Sequence, residues 1–360
     1  MAVSLQGRHL LSMKDLSTAE ILAVLDLADD VKARRAHYHA AAPLAGRTLG
    51  MLFQKPSLRT RVSFETGMTR LGGHAIYLSP VDFQLGQRES VEDVAIVLSR
   101  YADVIMARVF GHDIVVELAR HATCPVINGL SDFEHPCQIL ADLQTIRERQ
   151  GRLKGLRLNY IGDGNNVAHS LMYGCARVGM HCTITTPPGF EPQARVLAES
   201  QEIGRGTGAE VRVGHDPAEG ARDADVLYTD VWASMGQEAE AEARKAKFAG
   251  FQISGWLVRH ARPGATILHC LPAHYGEEIE YAASRLPQSA IFDQAENRMH
   301  AQNALLLHLL GAAGTPRGAR SKPTAPRRPA PRRDASAKHG AAKSAKTRAP
   351  ARKKAPARRR

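Results

Sequence analysis

Short apolar, β-branched segments alternate with helical patterns along most of this chain, and this alternation limits the folds open to it. In the first half the strand-like segments are 47–53, 74–78, 102–109 and 124–128. The helical patterns between them are 62–71, 90–101 and 114–121. Strands that are joined by helices run parallel and are covered on both faces. The sequence therefore predicts an α/β fold built on parallel sheets.

A second series with the same alternation follows the polar stretch 148–155. Its strand-like segments are 156–161, 182–186, 210–213, 225–229, 265–271 and 290–293. Ser17 to Glu20 forms a capping box before the first helix, and Pro136 is suited to the first turn of a helix that ends near Gln150. A length of 360 residues suits two or more domains.

We therefore expect a first domain at 1–148 and a second at 149–295. A last helical pattern at 296–312 has its apolar positions on one side, and we expect it to pack back on the first domain. Residues 313–360 are rich in Pro, Ala, Lys and Arg, without aromatic or branched aliphatic side chains. Such a segment buries too little apolar surface to offset its ordering entropy, so we expect a disordered tail.

The net charge of +12 is concentrated in this tail. From Pro316 to Arg360 there are 17 Lys or Arg residues and one acid, Asp334, which gives +16 and leaves −4 for the rest. A basic globular domain is thereby excluded, whereas non-specific binding of polyanions by the tail is not. A solvated, solubilising extension is the simpler interpretation of the tail.

The cysteines and the N-terminus exclude further classes of protein. The chain has five cysteines, an odd number, and none forms a Cys-x-x-Cys pair, so neither a disulfide framework nor a structural zinc site is expected. No segment is long and apolar enough to cross a membrane. The N-terminus lacks the apolar region of a signal peptide, so we expect a cytoplasmic protein.

Residues 53–65 place two hydroxyls and two guanidiniums where a helix is predicted to begin. These are Ser57, Thr60, Arg59 and Arg61. A helix N-terminus supplies unpaired N–H groups and partial positive charge, and arginine supplies planar pairs of donors. The pattern indicates an anion site, although an ordinary strand–helix turn with a solvated arginine pair explains the spacing equally well.

Several polar residues lie at or just after predicted strand ends, the edge where open α/β sheets bind ligands. They are Arg108, Asn166, Asp230 and Cys270. Taken singly, each has an ordinary structural explanation, such as a surface arginine, a helix cap or a buried thiol. The segment 162–167 superficially suggests a dinucleotide-binding dehydrogenase, but Val167 occupies the third glycine position and no acid follows the next strand.

Four motifs resemble those of the aspartate/ornithine carbamoyltransferase family, in the family's order over residues 8–312. They are Ser57-Leu58-Arg59-Thr60-Arg61, His135-Pro136-Cys137-Gln138, Ser234-Met235-Gly236 and His269-Cys270-Leu271-Pro272. Leu58 departs from the family's threonine and removes a hydroxyl donor, and Tyr275 stands where many members have arginine. The resemblance implies two doubly wound α/β domains with the active site between them, assembled as trimers or multiples of trimers.

The resemblance also implies the binding site for carbamoyl phosphate. The residues carried over are Ser57, Arg59, Thr60, Gln84, Arg108, His135, Gln138 and Arg298. Gln84 matches a family loop that reaches the neighbouring subunit's site. His135 and Gln138 are three residues apart and share a helix face, from which they can bind the carbamoyl oxygen and nitrogen. A metal at this pair is disfavoured, because glutamine is a poor ligand.

For the second substrate the resemblance implies ornithine, whose δ-amine would attack to give citrulline and phosphate, a step of arginine metabolism. The residues carried over are Asn166, Asp230, Ser234, Met235, Cys270 and Leu271, with Cys270, His135 and Arg108 as catalytic candidates. We expect no metal and no organic cofactor. An N-acylated ornithine or another amine as acceptor remains an alternative, as does a protein that acts by binding polyanions through its tail.

Overall fold

The computed structural model describes residues 3–81, 85–86, 88–233 and 241–314, and within them the strands form two parallel sheets. The strands of the first sheet are β1 (Thr48–Phe53), β2 (His74–Leu78), β3 (Val104–Arg108) and β4 (Val126–Leu130), in the order β2-β1-β3-β4. Those of the second are β5 (Arg157–Ile161), β6 (His181–Thr185), β7 (Val211–Gly214), β8 (Val226–Thr229) and β9 (Thr266–His269), in the order β7-β6-β5-β8-β9. Every pairing is parallel, which confirms the predicted fold class.

Helices connect the strands and cover both sheets. In the first half they are α1 (Thr18–Ala33), α2 (Arg35–Ala41), α3 (Leu58–Arg70), α4 (Val91–Tyr101), α5 (His112–His121) and α6 (Pro136–Gln150). In the second half they are α7 (Asn166–Val178), α8 (Ala194–Thr207), α9 (Pro217–Ala221), α10 (Ala241–Lys247), α11 (Gly255–Val258) and α12 (Ile291–Leu309). None of the described helices is both long and apolar enough to cross a membrane.

Local signals account for several helix ends. The Ser17 hydroxyl accepts a hydrogen bond from the Glu20 amide while the Glu20 carboxylate accepts one from the Ser17 amide, so the predicted capping box is confirmed. Helix α6 begins at Pro136 and ends before Gly151, whose φ of 73° is the left-handed conformation that closes many helices. Helix α3 begins at Leu58 and is capped by Ser57, one of the two hydroxyl residues at which a helix is predicted to begin. It therefore starts four residues ahead of the helical pattern at 62–71.

The strand predicted at 290–293 is wrong, because these residues form the beginning of α12. Ile291 is buried and Phe292 is exposed, and the buried positions continue through Gln294, Asn297 and Arg298 with helical spacing. A run of two or three apolar residues does not distinguish a short strand from the first turn of an amphipathic helix. The last helix therefore starts five residues earlier than the pattern at 296 indicates.

Helix α12 returns from the second half of the chain to the first. It packs against α6, α1 and α3, and one end also meets β9. Residues 3–314 belong to one compact unit by their contacts, so the domain boundaries at 148 and 295 stay predictions. Apart from residues 313 and 314, the predicted tail lies outside the described residues.

The carboxyl ends of the central strands are the part of this architecture that positions a site. Strand order reverses between β1 and β3 in the first sheet, and between β5 and β8 in the second. The two crossovers leave from opposite faces of the sheet at such a point, which leaves a crevice outside the carboxyl ends. Most of the predicted ligand residues lie at or after the ends of β1, β3, β4, β5, β8 and β9, and Arg298 is added from α12.

The turn after β5 depends on a glycine. A Cβ atom on Gly164 would lie 2.2 Å from the Pro192 amide nitrogen and 2.6 Å from the Phe190 carbonyl oxygen, and neither backbone atom can rotate away. Gly164→Ala should therefore lower the free energy of unfolding by about 1–3 kcal/mol, measured from urea midpoints. Gly206→Ala, in α8 with open space around it, is the matched control and should be neutral or stabilising. Equal stability of the two variants would contradict this interpretation.

Candidate active site

A cavity of about 1060 Å³ lies between the carboxyl ends of the two sheets. It brings together most of the residues that the sequence singled out. Those that line it are Ser57, Arg59, Thr60, Arg108, His135, Gln138, Asn166, Asp230, Cys270, Leu271 and Arg298. Gln84, Ser234 and Met235 lie outside the described residues. The strand-end residues of both halves of the chain therefore face one cleft.

One end of the cleft concentrates positive charge. Arg108 and Arg298 are buried, with 6% and 4% of their surface exposed, and Arg59 lies close enough to both to repel them. Burial lowers the pKa of Arg108, and repulsion by Arg298 and Arg59 lowers it further. Burial also lowers the pKa of Arg298. Three guanidiniums gathered in this way make a site for an anion with more than one charge.

The beginning of α3 completes the cationic end. Ser57 caps the helix and donates a hydrogen bond of 3.1 Å to the Thr60 hydroxyl, which also accepts one of 3.2 Å from Arg298 Nη2. The first turn of a 13-residue helix directs N–H groups and partial positive charge toward this point. Leu58, where the family has threonine, also lines the cavity, and 76% of its surface is exposed.

His135 and Gln138 follow next, at the beginning of α6. His135 is 5% exposed, and its Nδ1 has no hydrogen-bond partner among the described residues. Burial, together with Arg298 and Arg108, holds its pKa well below the usual range, so the ring is neutral at neutral pH. Gln138 accepts a 2.7 Å hydrogen bond from Arg298 Nη1 through Oε1 and donates one of 2.8 Å from Nε2 to Asp142. The pair thus offers neutral hydrogen-bonding groups beside the arginines.

The acidic part of the cleft is built around Asp230, which directly follows β8. Its Oδ1 accepts a hydrogen bond of 2.9 Å from the Cys270 thiol, and its Oδ2 accepts one of 3.1 Å from Asn165 Nδ2. Burial, and then the nearby Asp230 carboxylate, raises the pKa of Cys270. The thiol is therefore protonated at neutral pH and lacks the thiolate character of a nucleophile.

Asn165 lines the cleft and contacts Asp230, although the sequence did not single it out as a site residue. Its side-chain oxygen caps α7 by accepting from the amides of Val167 and Ala168, while its nitrogen donates to Asp230. An asparagine just before a helix is a common N-cap, so the cap was readable from the sequence, but the contact with Asp230 was not. The neighbouring Asn166 donates a 2.7 Å hydrogen bond to the Ser131 carbonyl and faces the cleft.

Asp230 and two nearby side chains are of types that commonly ligate metal ions, but their ligand atoms already take part in hydrogen bonds. Ligand atoms of Asp230, His269 and Cys270 lie within 4.8 Å of one another. His269 Nδ1 accepts from the Leu271 amide at 2.9 Å, so Nε2 carries the proton and donates to Glu278 at 2.9 Å. Both ring nitrogens are thereby engaged, and His269 has no lone pair left for an ion.

Family comparisons agree with this geometry. Residues 8–148 match the aspartate/ornithine carbamoyltransferase carbamoyl-P binding domain, and residues 154–309 match the Asp/Orn binding domain of the same family. The chain is 53% identical over 308 residues to ornithine carbamoyltransferase of Anoxybacillus flavithermus, covering 86% of this chain and 98% of the relative. It is 51% identical over 311 residues to the anabolic ornithine carbamoyltransferase of Pyrococcus furiosus, covering 86% and 99%.

Solved structures give the same result. The ornithine carbamoyltransferase structure from Pyrococcus furiosus superimposes with a TM-score of 0.83 at 51% identity, over 86% of this chain and 99% of that one. The structure from Thermus thermophilus gives a TM-score of 0.75 at 45% identity, over 84% and 98%. The chain belongs to the aspartate/ornithine carbamoyltransferase family.

The buried neutral ring of His135 makes stability depend on pH. Because folding lowers the His135 pKa below its unfolded value of about 6.5, its contribution is fully present above that pH and is lost as pH falls. Between pH 7.5 and 5.5 the wild-type chain should lose more stability than His135→Gln, by about 1 kcal/mol. The loss is measured from urea unfolding at both pH values, so that any pH-independent cost of the substitution cancels. Identical losses in the two proteins would contradict the assignment.

Proposed function

We propose that this chain is an ornithine carbamoyltransferase, which transfers the carbamoyl group of carbamoyl phosphate to the δ-amine of L-ornithine. The products are L-citrulline and phosphate. The observation that carries the proposal is the lining of the cleft, in which a cluster of arginines, the neutral pair His135 and Gln138, and the Asp230 side chain all face one cavity. A small dianion with a reactive carbonyl suits the arginine cluster, and the ammonium group of an amino acid suits Asp230. The names of the relatives support this pair of substrates.

Carbamoyl phosphate is assigned to the cationic end. Ser57, Arg59, Thr60 and Arg108 hold the phosphate, and Arg298 also reaches the ligand. The same donors stabilise the charge that gathers on the leaving phosphate as its bond to carbon breaks. The neutral His135 donates to the carbamoyl oxygen, where negative charge develops in the tetrahedral intermediate, and Gln138 accepts from the carbamoyl nitrogen.

Ornithine is assigned to the acidic part of the cleft. Asp230 is buried and already accepts hydrogen bonds on both oxygens, and it offers the negative charge that an α-ammonium requires. Asn166 binds the α-carboxylate, and Ser234 and Met235, which lie outside the described residues, close over the substrate. The Leu271 carbonyl and Cys270 lie beside the δ-amine. Holding both substrates in line supplies a large part of the rate.

The δ-amine has to lose a proton, because its ordinary pKa is about 10.4 and only the free base attacks the carbonyl. Cys270 is one candidate for accepting a proton from this nitrogen, and the leaving phosphate is the other. The raised pKa of Cys270 and its hydrogen bond to Asp230 describe a thiol that donates, not a base. The phosphate oxygens are therefore the better supported acceptor for the proton that the nitrogen loses once its bond to the carbonyl carbon has formed. The carbon–oxygen bond then breaks and phosphate leaves as HPO4²⁻, while the proton that converts the δ-ammonium to the free base passes to solvent before the attack.

The assembly and location are also proposals. We propose that the enzyme is cytoplasmic. We also propose a homotrimer or a multiple of trimers, because Gln84 matches a family loop that completes the neighbouring subunit's site. Exposed apolar side chains on α3 and the edge strand β2, Val62 and Ile76, support an interface on the first half of the molecule. Direction in arginine metabolism, synthesis or breakdown, follows metabolite levels and not the site.

Substitutions in the two parts of the cleft should separate the two substrates. Arg59→Ala should weaken the binding of carbamoyl phosphate by roughly ten- to a hundredfold or more, since a hydrogen bond to a charged group contributes about 1.5–3 kcal/mol. Asp230→Asn should instead raise the ornithine KM, with a much smaller effect on carbamoyl phosphate. The affinity for carbamoyl phosphate is measured by calorimetry, and the ornithine KM is measured from the rate of citrulline formation.

A neighbouring arginine is the matched control for that experiment. Arg61 is exposed and bonded to Glu65 at 3.0 Å, outside the cleft, so Arg61→Ala should retain carbamoyl-phosphate affinity. If each variant lost equal affinity for carbamoyl phosphate and for ornithine, the assignment of the two substrates to different parts of the cleft would be contradicted. Retained carbamoyl-phosphate affinity in Arg59→Ala would refute its role at the phosphate.

A second activity, polyanion binding by the tail, is favoured by the charge distribution alone. The matched regions of the family end at residue 309, whereas +16 of the charge lies beyond Gly314. Removal of residues 315–360 should leave citrulline formation unchanged and abolish salt-sensitive retention on heparin or duplex DNA. A truncated protein that loses its enzymatic activity, or one that keeps its affinity for DNA, would contradict this assignment.

A further inference from the structure

The side-chain amide of Gln138 lies between a group that only accepts hydrogen bonds and a group that only donates them. The Asp142 carboxylate is 2.8 Å from one end of the amide, and Arg298 Nη1 is 2.7 Å from the other. The Asp142 oxygen that faces Gln138, Oδ1, also accepts a hydrogen bond from Gln294 Nε2, so it has no proton to give, and a guanidinium has no lone pair to offer. Only one orientation satisfies both neighbours, with the NH2 on Asp142 and Oε1 on Arg298.

Asp142 is well placed to impose this orientation. It lies four residues after Gln138 on the same face of α6, and its side chain is fully buried. Three donors converge on it: Gln138 Nε2 at 2.8 Å, Gln294 Nε2 at 2.7 Å and the Tyr228 hydroxyl at 3.0 Å. Burial raises the pKa of Asp142 to about 7, although these hydrogen bonds and Arg298 oppose the rise. Oδ1 accepts from both glutamines, so a proton on this carboxyl group lies on Oδ2, beside the Tyr228 hydroxyl.

The same carboxylate is joined through Gln294 to the segment that ends β9. Gln294, whose Nε2 donates to Asp142, accepts a 2.8 Å hydrogen bond from the His269 backbone amide through Oε1. His269 in turn accepts from the Leu271 amide through Nδ1. Asp142 is therefore held by Gln294 of α12 and by Tyr228 of β8, and it cannot follow Gln138 if that side chain turns.

We propose that Asp142 is a positioning residue that fixes the Gln138 amide so that Oε1 faces the carbamoyl nitrogen of the substrate. The inference rests on the proposed function. An amide oxygen has two lone pairs, of which Arg298 uses one, and Gln138 lines the cleft. The second lone pair accepts a hydrogen bond from the NH2 group of carbamoyl phosphate. With the amide reversed, two NH2 groups would oppose each other.

The consequence is discrimination between acyl phosphates. Acetyl phosphate has the same phosphate and carbonyl, but a methyl group replaces the NH2 that Oε1 would bind. The wild-type site should therefore prefer carbamoyl phosphate, and that preference should depend on Asp142. Inorganic phosphate engages only the arginine end, so its affinity should not depend on Asp142. If Asp142 had a merely structural role, its substitution would weaken the binding of all three ligands together.

The test compares three variants by the dissociation constants of carbamoyl phosphate, acetyl phosphate and inorganic phosphate. Asp142→Ala removes the acceptor, and the preference for carbamoyl over acetyl phosphate should fall at least about tenfold, the value of one hydrogen bond. Asp142→Asn keeps one oxygen that can accept from both glutamines, so it should restore the preference. Tyr228→Phe removes a donor from Oδ2 without touching the Gln138 contact, and it should retain the preference.

The outcomes separate this inference from the proposed function. Wild-type protein that forms no citrulline would refute the function. Active wild-type protein with an unchanged preference in Asp142→Ala, or a loss of phosphate affinity equal to that of carbamoyl phosphate, would overturn the inference alone. If Asp142→Ala does not fold, a crystal structure of wild-type protein with carbamoyl phosphate decides: the inference requires the Gln138 amide between Asp142 and the carbamoyl nitrogen, and an amide turned away from Asp142 would refute it.

Discussion

Mutual repulsion among three guanidinium groups is the constraint around which the active cleft is built. Arg59, Arg108 and Arg298 come from α3, the end of β3 and α12, and two of them are buried. Gathering such charge away from water is costly unless hydrogen bonds and a counter-anion compensate. The fold supplies the hydrogen bonds through Thr60 and Gln138, and carbamoyl phosphate is the anion we assign. The return of α12 to the first half of the chain brings Arg298 to this cluster.

The remaining polar groups follow from this cationic end. Burial, and then the proximity of two arginines, lowers the pKa of His135 and keeps the ring neutral, so it can serve as a hydrogen-bond partner for a carbonyl without adding positive charge. Asp230 lines the same cleft, so the lining offers guanidinium groups to an anion and a carboxylate to an ammonium group. The buried Asp142 joins α6 to α12 through Gln138 and Gln294, so the geometry of these two helices is fixed at the cleft.

Sequence periodicity was sufficient to predict the fold class and to identify the residues at strand ends, because these depend on local patterns and on a general property of parallel sheets. It failed at 290–293, where the apolar run was too short to show its period. The network of Asp142, Tyr228 and Gln294 was not predictable in this way. Its members lie on α6, β8 and α12, up to 152 residues apart, and only the spacing of Gln138 and Asp142 is visible in the sequence.

The most direct measurement is formation of ureido product from carbamoyl phosphate with ornithine, N-acetylornithine, putrescine and aspartate offered separately. We expect rapid citrulline formation with ornithine and little product with the other three amines, because Asp230 and Asn166 together require a free α-ammonium and an α-carboxylate. A clear preference for another amine would contradict the assignment of the acidic end and leave the anion end intact. Absence of product with every amine would contradict the central claim.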